Sequence, residues 1–219
     1  MIITTQKPIE EVLEFIGDKK KVFLIGCKVC ATTCKTGGEP ELADIEKKLA
    51  EKGKTVAGKA VLDPACNIME VKRLIRQHAD AINGAGVVVS YACGGGTQAL
   101  AENLPGVNVY PGNNTMFQGD LTRSGLDGKT FEQKCSMCGE CILAITGGIC
   151  PVTRCPKGLL NGPCGGIKNG KCEVNKETDC VWILIYERLK SLGRLDEMRK
   201  VKRPKNYSKA KRPQNLKTK

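Results

Sequence analysis

The stretch KVFLIGCKVCATTC, residues 21–34, decides how this chain is read. Val22 to Gly26 is a continuous apolar run of strand length, and a strand without polar alternation belongs in a sheet covered on both faces. It ends at Cys27, and Cys30 and Cys34 follow in the loop. Working outward, ELADIEKKLAEKG (41–53) reads as an amphipathic helix with Leu42, Ile45 and Leu49 on one face, closed by Gly53. TVAGKAVL (55–62) is the next strand, and the loop behind it carries Cys66. IMEVKRLIRQHADAI (68–82) is a second helix. GVVVSYA (86–92) is a strand apolar on both faces, with Cys93 at its end; GTQALAENL (96–104) starts a helix and VNVYPG (107–112) returns a fourth strand. This alternation predicts an α/β fold, an N-terminal open parallel sheet with flanking helices and right-handed crossovers.

That topology has a positional consequence. Ligands of open α/β sheets bind at the carboxyl ends of the strands. Cys27, Cys66 and Cys93 each follow a different strand, so they converge on one rim, with Cys30 and Cys34 beside Cys27.

The chain holds thirteen cysteines and one histidine, His78. Five thiols lie in the first half and eight in the second. A disulfide framework belongs to short secreted domains, and this chain is too long for that class. The opening MIITTQKPIEEVL has no apolar core behind a basic start, so no secretory leader is expected and the expected location is cytoplasmic. No apolar run reaches membrane-spanning length. An all-sulfur donor inventory points to metal, and to iron–sulfur clusters before mixed zinc sites.

Three groups of thiols follow from spacing. Cys27, Cys30 and Cys34 form a C-x2-C-x3-C triplet suited to a 4Fe–4S cluster, where each thiolate takes a different iron. Its fourth ligand is Cys66, in the DPACN loop, or Cys93, beside glycines that permit close backbone approach. CSMCGEC (Cys135, Cys138, Cys141) is the ferredoxin-type C-x2-C-x2-C run, with Cys150-Pro151 as a displaced closure. Cys155, Cys164, Cys172 and Cys180 could hold a third 4Fe–4S cluster or a closed four-thiolate zinc site. Two or three clusters are therefore expected, with zinc possible in place of one.

Residues 1–118 read as the α/β domain with its rim site. Asn113 to Gly128 is polar and turn-rich, a connector. Residues 119–198 read as an irregular cysteine-rich, metal-stabilised domain ending in a C-terminal helix, VWILIYERLKSLGRLDEM (181–198), with Ile183, Tyr186, Leu189 and Leu192 spaced for one face. The alternative stripe Trp182, Ile185 and Leu189 serves either the domain's own core or a docked subunit. Residues 199–219 are a basic tail expected to be extended: ten of them are Lys or Arg and none is acidic. They account for most of the net charge of +12. The tail reads either as an arm for an acidic protein or a polyanion, or as a solubilising terminus.

No acid–base set accompanies the thiols. His78 reads as a surface or helix-end residue, no phosphate loop is present, and GGGT after Cys93 is too short to claim a nucleotide. A chain rich in metal ligands and without substrate chemistry reads as an electron conductor for another subunit. The reading from a different class is a zinc-stabilised nucleic-acid-binding module. The near-neutral body and scarce aromatics disfavour it. A free-standing redox carrier is the third reading.

The run GGICPVTRCPKGLLNGPCGG (147–166), with KCEV and DCVW behind it, resembles the methylenetetrahydrofolate reductase C-terminal-type domain. GCKVCATTCKTGGEPEL (26–42) and YACGGGTQ (91–98) resemble the N-terminal part of the iron–sulfur small subunit of the acetogen-type enzyme. Together the resemblance spans about residues 20–193. It implies a flavin-bearing reductase subunit as partner, with the flavin there and not on this chain, and a non-catalytic electron-transfer role here. It also implies an upstream donor, a ferredoxin or a larger redox complex. The positions it carries over are Cys27, Cys30 and Cys34, then Cys135, Cys138, Cys141, Cys150, Cys155, Cys164, Cys172 and Cys180.

Overall fold

The computed structural model describes residues 1–121 and 131–214. It divides into two compact units, Met1–Phe117 and Gln118–Lys219.

The first unit is built on four parallel strands, β2 (Lys21–Cys27), β3 (Thr55–Leu62), β4 (Val87–Tyr91) and β5 (Asn108–Pro111), in the order β3-β2-β4-β5. The pleat sends alternate residues of β2 to opposite faces. Val22 and Leu24 pack with α1 (Ile9–Ile16) and α3 (Glu39–Glu51) through Val12, Ile16, Leu42, Ile45 and Leu49. Phe23, Ile25 and Cys27 pack on the other face with Val71, Leu74 and Ile82 of α4 (Ile68–Ala85) and Leu100 of α5 (Gly94–Asn103). The fold class is thus the expected one, a sheet wound on both sides.

The helices differ from expectation in their ends. α3 begins at Glu39, where the Glu41 carboxylate accepts from the Gly38 N–H at 2.9 Å. α4 runs on to Ala85, with a kink at His78 (φ −128°) and Gly86 in the left-handed region as its stop. His78 is half-buried against the Phe23 ring, centroids 5.5 Å apart, and serves packing. α5 starts two residues early, at Gly94.

Two elements carried no clear signal. β1 (Ile2–Gln6) is too short for periodicity to assert itself, and it pairs with β6 (Asn113–Leu121). The segment read as a connector from Asn113 is therefore strand as far as Leu121; its remainder, 122–128, lies outside the described residues.

Tyr91 is fully buried, yet its hydroxyl has no hydrogen-bond partner among the described residues, and burial pushes its pKa well up. A buried, unsatisfied hydroxyl costs roughly 1–3 kcal/mol. Tyr91→Phe is expected to leave stability unchanged or to raise it by about 1 kcal/mol, read from thermal melts; a clear loss would show that the hydroxyl is satisfied in solution.

In the second unit, β7 (Phe131–Cys135) pairs antiparallel with β6 over Gln118–Leu121. The short helix α6 (Pro151–Arg154) packs against β7 and against α7 (Val181–Ser191). α7 is shorter than its apolar pattern predicts. Gly193, at φ +66°, turns the chain, and Leu195–Arg199 is a separate 3-10 turn. The buried stripe is Val181, Trp182, Ile185 and Leu189, whereas Tyr186 and Leu192 are exposed. These buried residues close the unit's own small core.

Candidate metal centres

The strand order places the first site. The chain leaves β2 toward β3 on one side and later returns past β2 to β4 on the other, so neighbours β2 and β4 flank the topological switch point, where the loops behind them part. Cys27 ends β2, and Cys93 is the N-cap of α5 just beyond β4.

The Cys27–Gly37 loop is pinned by backbone. Cys27 N–H donates to Gly37 O at 3.0 Å and Lys28 N–H to Leu62 O at 2.8 Å. A one-turn helix, α2 (Cys30–Thr33), sets Cys30 and Cys34 four residues apart, on one face. Strand β1 grips both: Ile2 N–H donates to Cys30 Sγ at 3.4 Å, and Cys34 Sγ donates to Ile2 O at 3.8 Å. Beneath them lies a buried polar knot. The Thr4 and Thr36 hydroxyls are 2.7 Å apart, and Asn113 Nδ2 donates to Thr36 Oγ1 at 3.4 Å.

Cys66 joins this rim. Its loop is seated through the buried Ala65 on the first turn of α5, where a Cβ on Gly96 would meet Ala65 Cβ at 3.0 Å. Burial pushes the Cys66 thiol up, and the nearby Cys93, Cys27 and Cys30 add to this against a lowering backbone hydrogen bond. Clustered thiols resist ionising together unless a cation joins them, so the donor set fits a metal group. Cys66 thus lies in range of Cys27 and Cys30 of the triplet and of Cys93. Exposed Val29, Ile68 and Met69 flank these loops in sequence.

The second group, Cys135, Cys138 and Cys141, sits on a tight loop in which Met137 (φ +52°) and Gly139 (φ +75°) adopt left-handed backbone. Met137 N–H donates to Cys135 Sγ at 3.3 Å. Burial pushes the Cys138 thiol up, but hydrogen bonding to the Glu140 backbone and the Lys205 ammonium outweigh it and the net direction is down. Ser136 Oγ, within the same knuckle, is buried and unpartnered among the described residues. An orphaned hydroxyl among thiols and N–H donors turned toward sulfur suit an anionic thiolate-bound group. Cys150 caps α6, its thiol 3.6 Å from Thr153 Oγ1, and α6 packs on β7, whose last residue is Cys135.

The third group shares a single cavity. Cys155, Cys164, Cys172 and Cys180 line one small cavity of about 20 Å³, with Trp182 and Ile167. An Asn169-Gly170 turn, both residues at positive φ, closes the Lys168–Lys171 bridge, and a second antiparallel bridge, Lys171 to Asp179, goes with Cys172 N–H to Thr178 O (3.0 Å) and Cys180 N–H to Gly170 O (2.8 Å). The Trp182 indole N–H donates to Leu159 O at 3.1 Å, fixing the loop that leads to Cys164. A space near one water-sized sphere suits a single ion more closely than a four-iron cube.

Among the described residues, no three His, Cys, Asp or Glu side chains are drawn together as tightly as a metal's coordination shell. No described helix is long and apolar enough to cross a membrane.

Sequence reasoning missed the contributions that lie outside the motifs: Ile2 on Cys30 and Cys34, the Thr4–Thr36–Asn113 knot, and Lys205 beside Cys138. Lys205 stands in a polar segment with no periodicity, and no local pattern marks it.

No curated protein matches the chain. Residues 110–208, a little under half of it, match the family model described as methylene-tetrahydrofolate reductase C terminal.

Proposed function

We propose that this chain is an iron–sulfur electron-transfer subunit of a methylenetetrahydrofolate reductase, passing electrons from an external low-potential donor to a flavin on a partner subunit. What carries the reading is the gathering of cysteine loops at the switch-point rim and on the Cys135–Cys141 knuckle. The family match supplies the reductase context.

Cys27, Cys30 and Cys34, with Cys66 or Cys93, would hold one 4Fe–4S cluster. Cys135, Cys138, Cys141 and Cys150 would hold a second. Cys155, Cys164, Cys172 and Cys180 would hold a zinc ion, the assignment their small cavity favours. Bound clusters would supply one-electron redox chemistry, and a flavin on the partner would supply the two-electron chemistry of the reduction. The chain's own part is to orient the sulfurs and donate N–H groups toward them. Hydrogen bonds of this kind tune cluster potentials.

Replacing Cys27, Cys30 or Cys34 by Ser is expected to remove one cluster's iron while leaving the second unit folded. Iron content and visible absorption check it; a variant with full iron removes the triplet from the assignment. The function itself is tested by reconstitution. The flavoprotein is mixed with and without this chain, then given a reduced viologen or ferredoxin and methylenetetrahydrofolate. If the flavoprotein alone accepts electrons from each donor as fast as the pair, the conduit reading fails.

A further inference from the structure

The basic C-terminal segment does not leave the molecule as a free arm over its described part. Residues 201–206 have no regular secondary structure and Tyr207–Ala210 forms a 3-10 turn, and both are tied to the cysteine knuckle. Lys205, only 8% exposed, donates through Nζ to Glu140 O. Asn206 N–H donates to Glu140 Oε2 at 2.7 Å, and Lys209 Nζ lies 3.5 Å from Glu140 Oε1. A Cβ on Gly139 would stand 2.6 Å from Lys209 O, so the backbones are in direct contact there. Lys202 N–H donates to Asn161 Oδ1 at 2.8 Å, fixing the upstream end.

This course leaves a groove of about 450 Å³ between the knuckle and the segment. The exposed Cys141 lines it, Ile142, Ile145 and Val201 give it an apolar lining, and Lys200, Lys202 and Arg203 stand along it. Its two acids are already engaged: Glu140 by Asn206 and Lys209, Glu197 by Lys200 at 3.0 Å. Arg203, Lys211 and Arg212 are exposed and have no acidic partner among the described residues. The surplus is positive, and Arg203 shares the groove with Cys141, a thiol assigned to a metal group, while Lys211 and Arg212 follow the turn that Lys209 ties to Glu140.

We infer that this groove is the docking surface for an acidic one-electron carrier protein, which would bring its redox centre against the Cys141 edge of the knuckle. The inference rests on the electron-transfer reading above and adds where the donor binds. An apolar floor inside a charged rim is the anatomy of a protein interface. Surplus rim charge steers a complementary partner and sets its on-rate. The same charge could attract nucleic acid, but the only exposed aromatic along the segment is Tyr207, and single strands need several stacking platforms.

The test compares the full chain with an Arg203→Glu/Lys211→Glu/Arg212→Glu variant. The first measurement is binding of an oxidised, acidic bacterial-type ferredoxin by fluorescence anisotropy, at low and at physiological salt. The second is cluster reduction by that ferredoxin and by methyl viologen. The expected result is ferredoxin affinity weakened by about tenfold or more in the variant, with its salt dependence largely lost. Reduction by ferredoxin should slow in step, while iron content and reduction by methyl viologen stay unchanged. Unchanged ferredoxin affinity overturns the docking surface even where methyl viologen still reduces the clusters. If methyl viologen reduces nothing in the unaltered chain, the electron-transfer reading falls, and with it the docking role, whatever binds. Tight binding of a polyuridine strand that the variant loses, with ferredoxin binding unaffected, overturns the proposal in favour of a polyanion site.

Discussion

Stripping the metal is expected to unfold the second unit and leave the first standing. The buried apolar side chains of the second unit's core are Val181, Trp182, Ile185 and Leu189. Each contributes roughly 1.5–3 kcal/mol. Ordering the backbone costs roughly 1–2 kcal/mol per residue, so four such side chains cannot hold the cysteine loops. Structural metal binding, roughly 10–16 kcal/mol for zinc on small domains, can. The first unit instead carries two apolar clusters, one on each face of its sheet. After chelation, amide exchange in 131–199 should accelerate by about a hundredfold or more, while β2 and β4 keep their protection. A second unit that stays protected when metal-free would show that its packing suffices and that its thiols do not stabilise it through metal.

Gly37→Ala should be the most damaging single methyl in the first unit. A Cβ there would lie 1.9 Å from Tyr91 O and 2.9 Å from Tyr91 C, and neither backbone atom can step aside without moving β4. Gly37 O in turn stands 2.2 Å from where a Cβ on Gly26 would be. The loop is thus wedged between two strands by backbone alone. Overpacking of this kind costs roughly 3 kcal/mol or more, which in a domain of this size lowers the melting temperature by roughly 10 °C. Thermal melts of Gly37→Ala beside Cys27→Ser separate fold from ligation. The first should lose stability, whereas the second should lose iron and stay folded without it. A Gly37→Ala protein that melts like the unaltered chain would mean that the loop moves freely off β4.

The sheet was legible because its strands are long apolar runs with helical patterns between them, and burial on both faces writes such runs directly into composition. Cys27, Cys66 and Cys93 could be placed at one edge from topology alone. Strands β1 and β6 were not legible. IITTQ is short, and the NNTMFQGDL strand is polar because most of it is exposed, so nothing in its pattern separates it from a loop. The true face of α7 was only half legible. Its first turn is apolar all round, and two stripes compete until the loop carrying Leu159 takes Trp182. The clasp on the knuckle lay beyond reach, since Lys205 and Glu140 meet across 65 residues.

The grip on the rim loop bears on what happens when its charge changes. Gly26, Gly37 and Tyr91 press backbone on backbone, and both peptide groups of Ile2 are committed to Cys30 and Cys34. A loop so held has few soft coordinates along which to relax. An electron arriving at a group bound there would meet dipoles already oriented, so little nuclear rearrangement would accompany the transfer. Low reorganisation energy of this kind would let electrons cross in either direction with a small driving force, making the site a reversible wire rather than a trap.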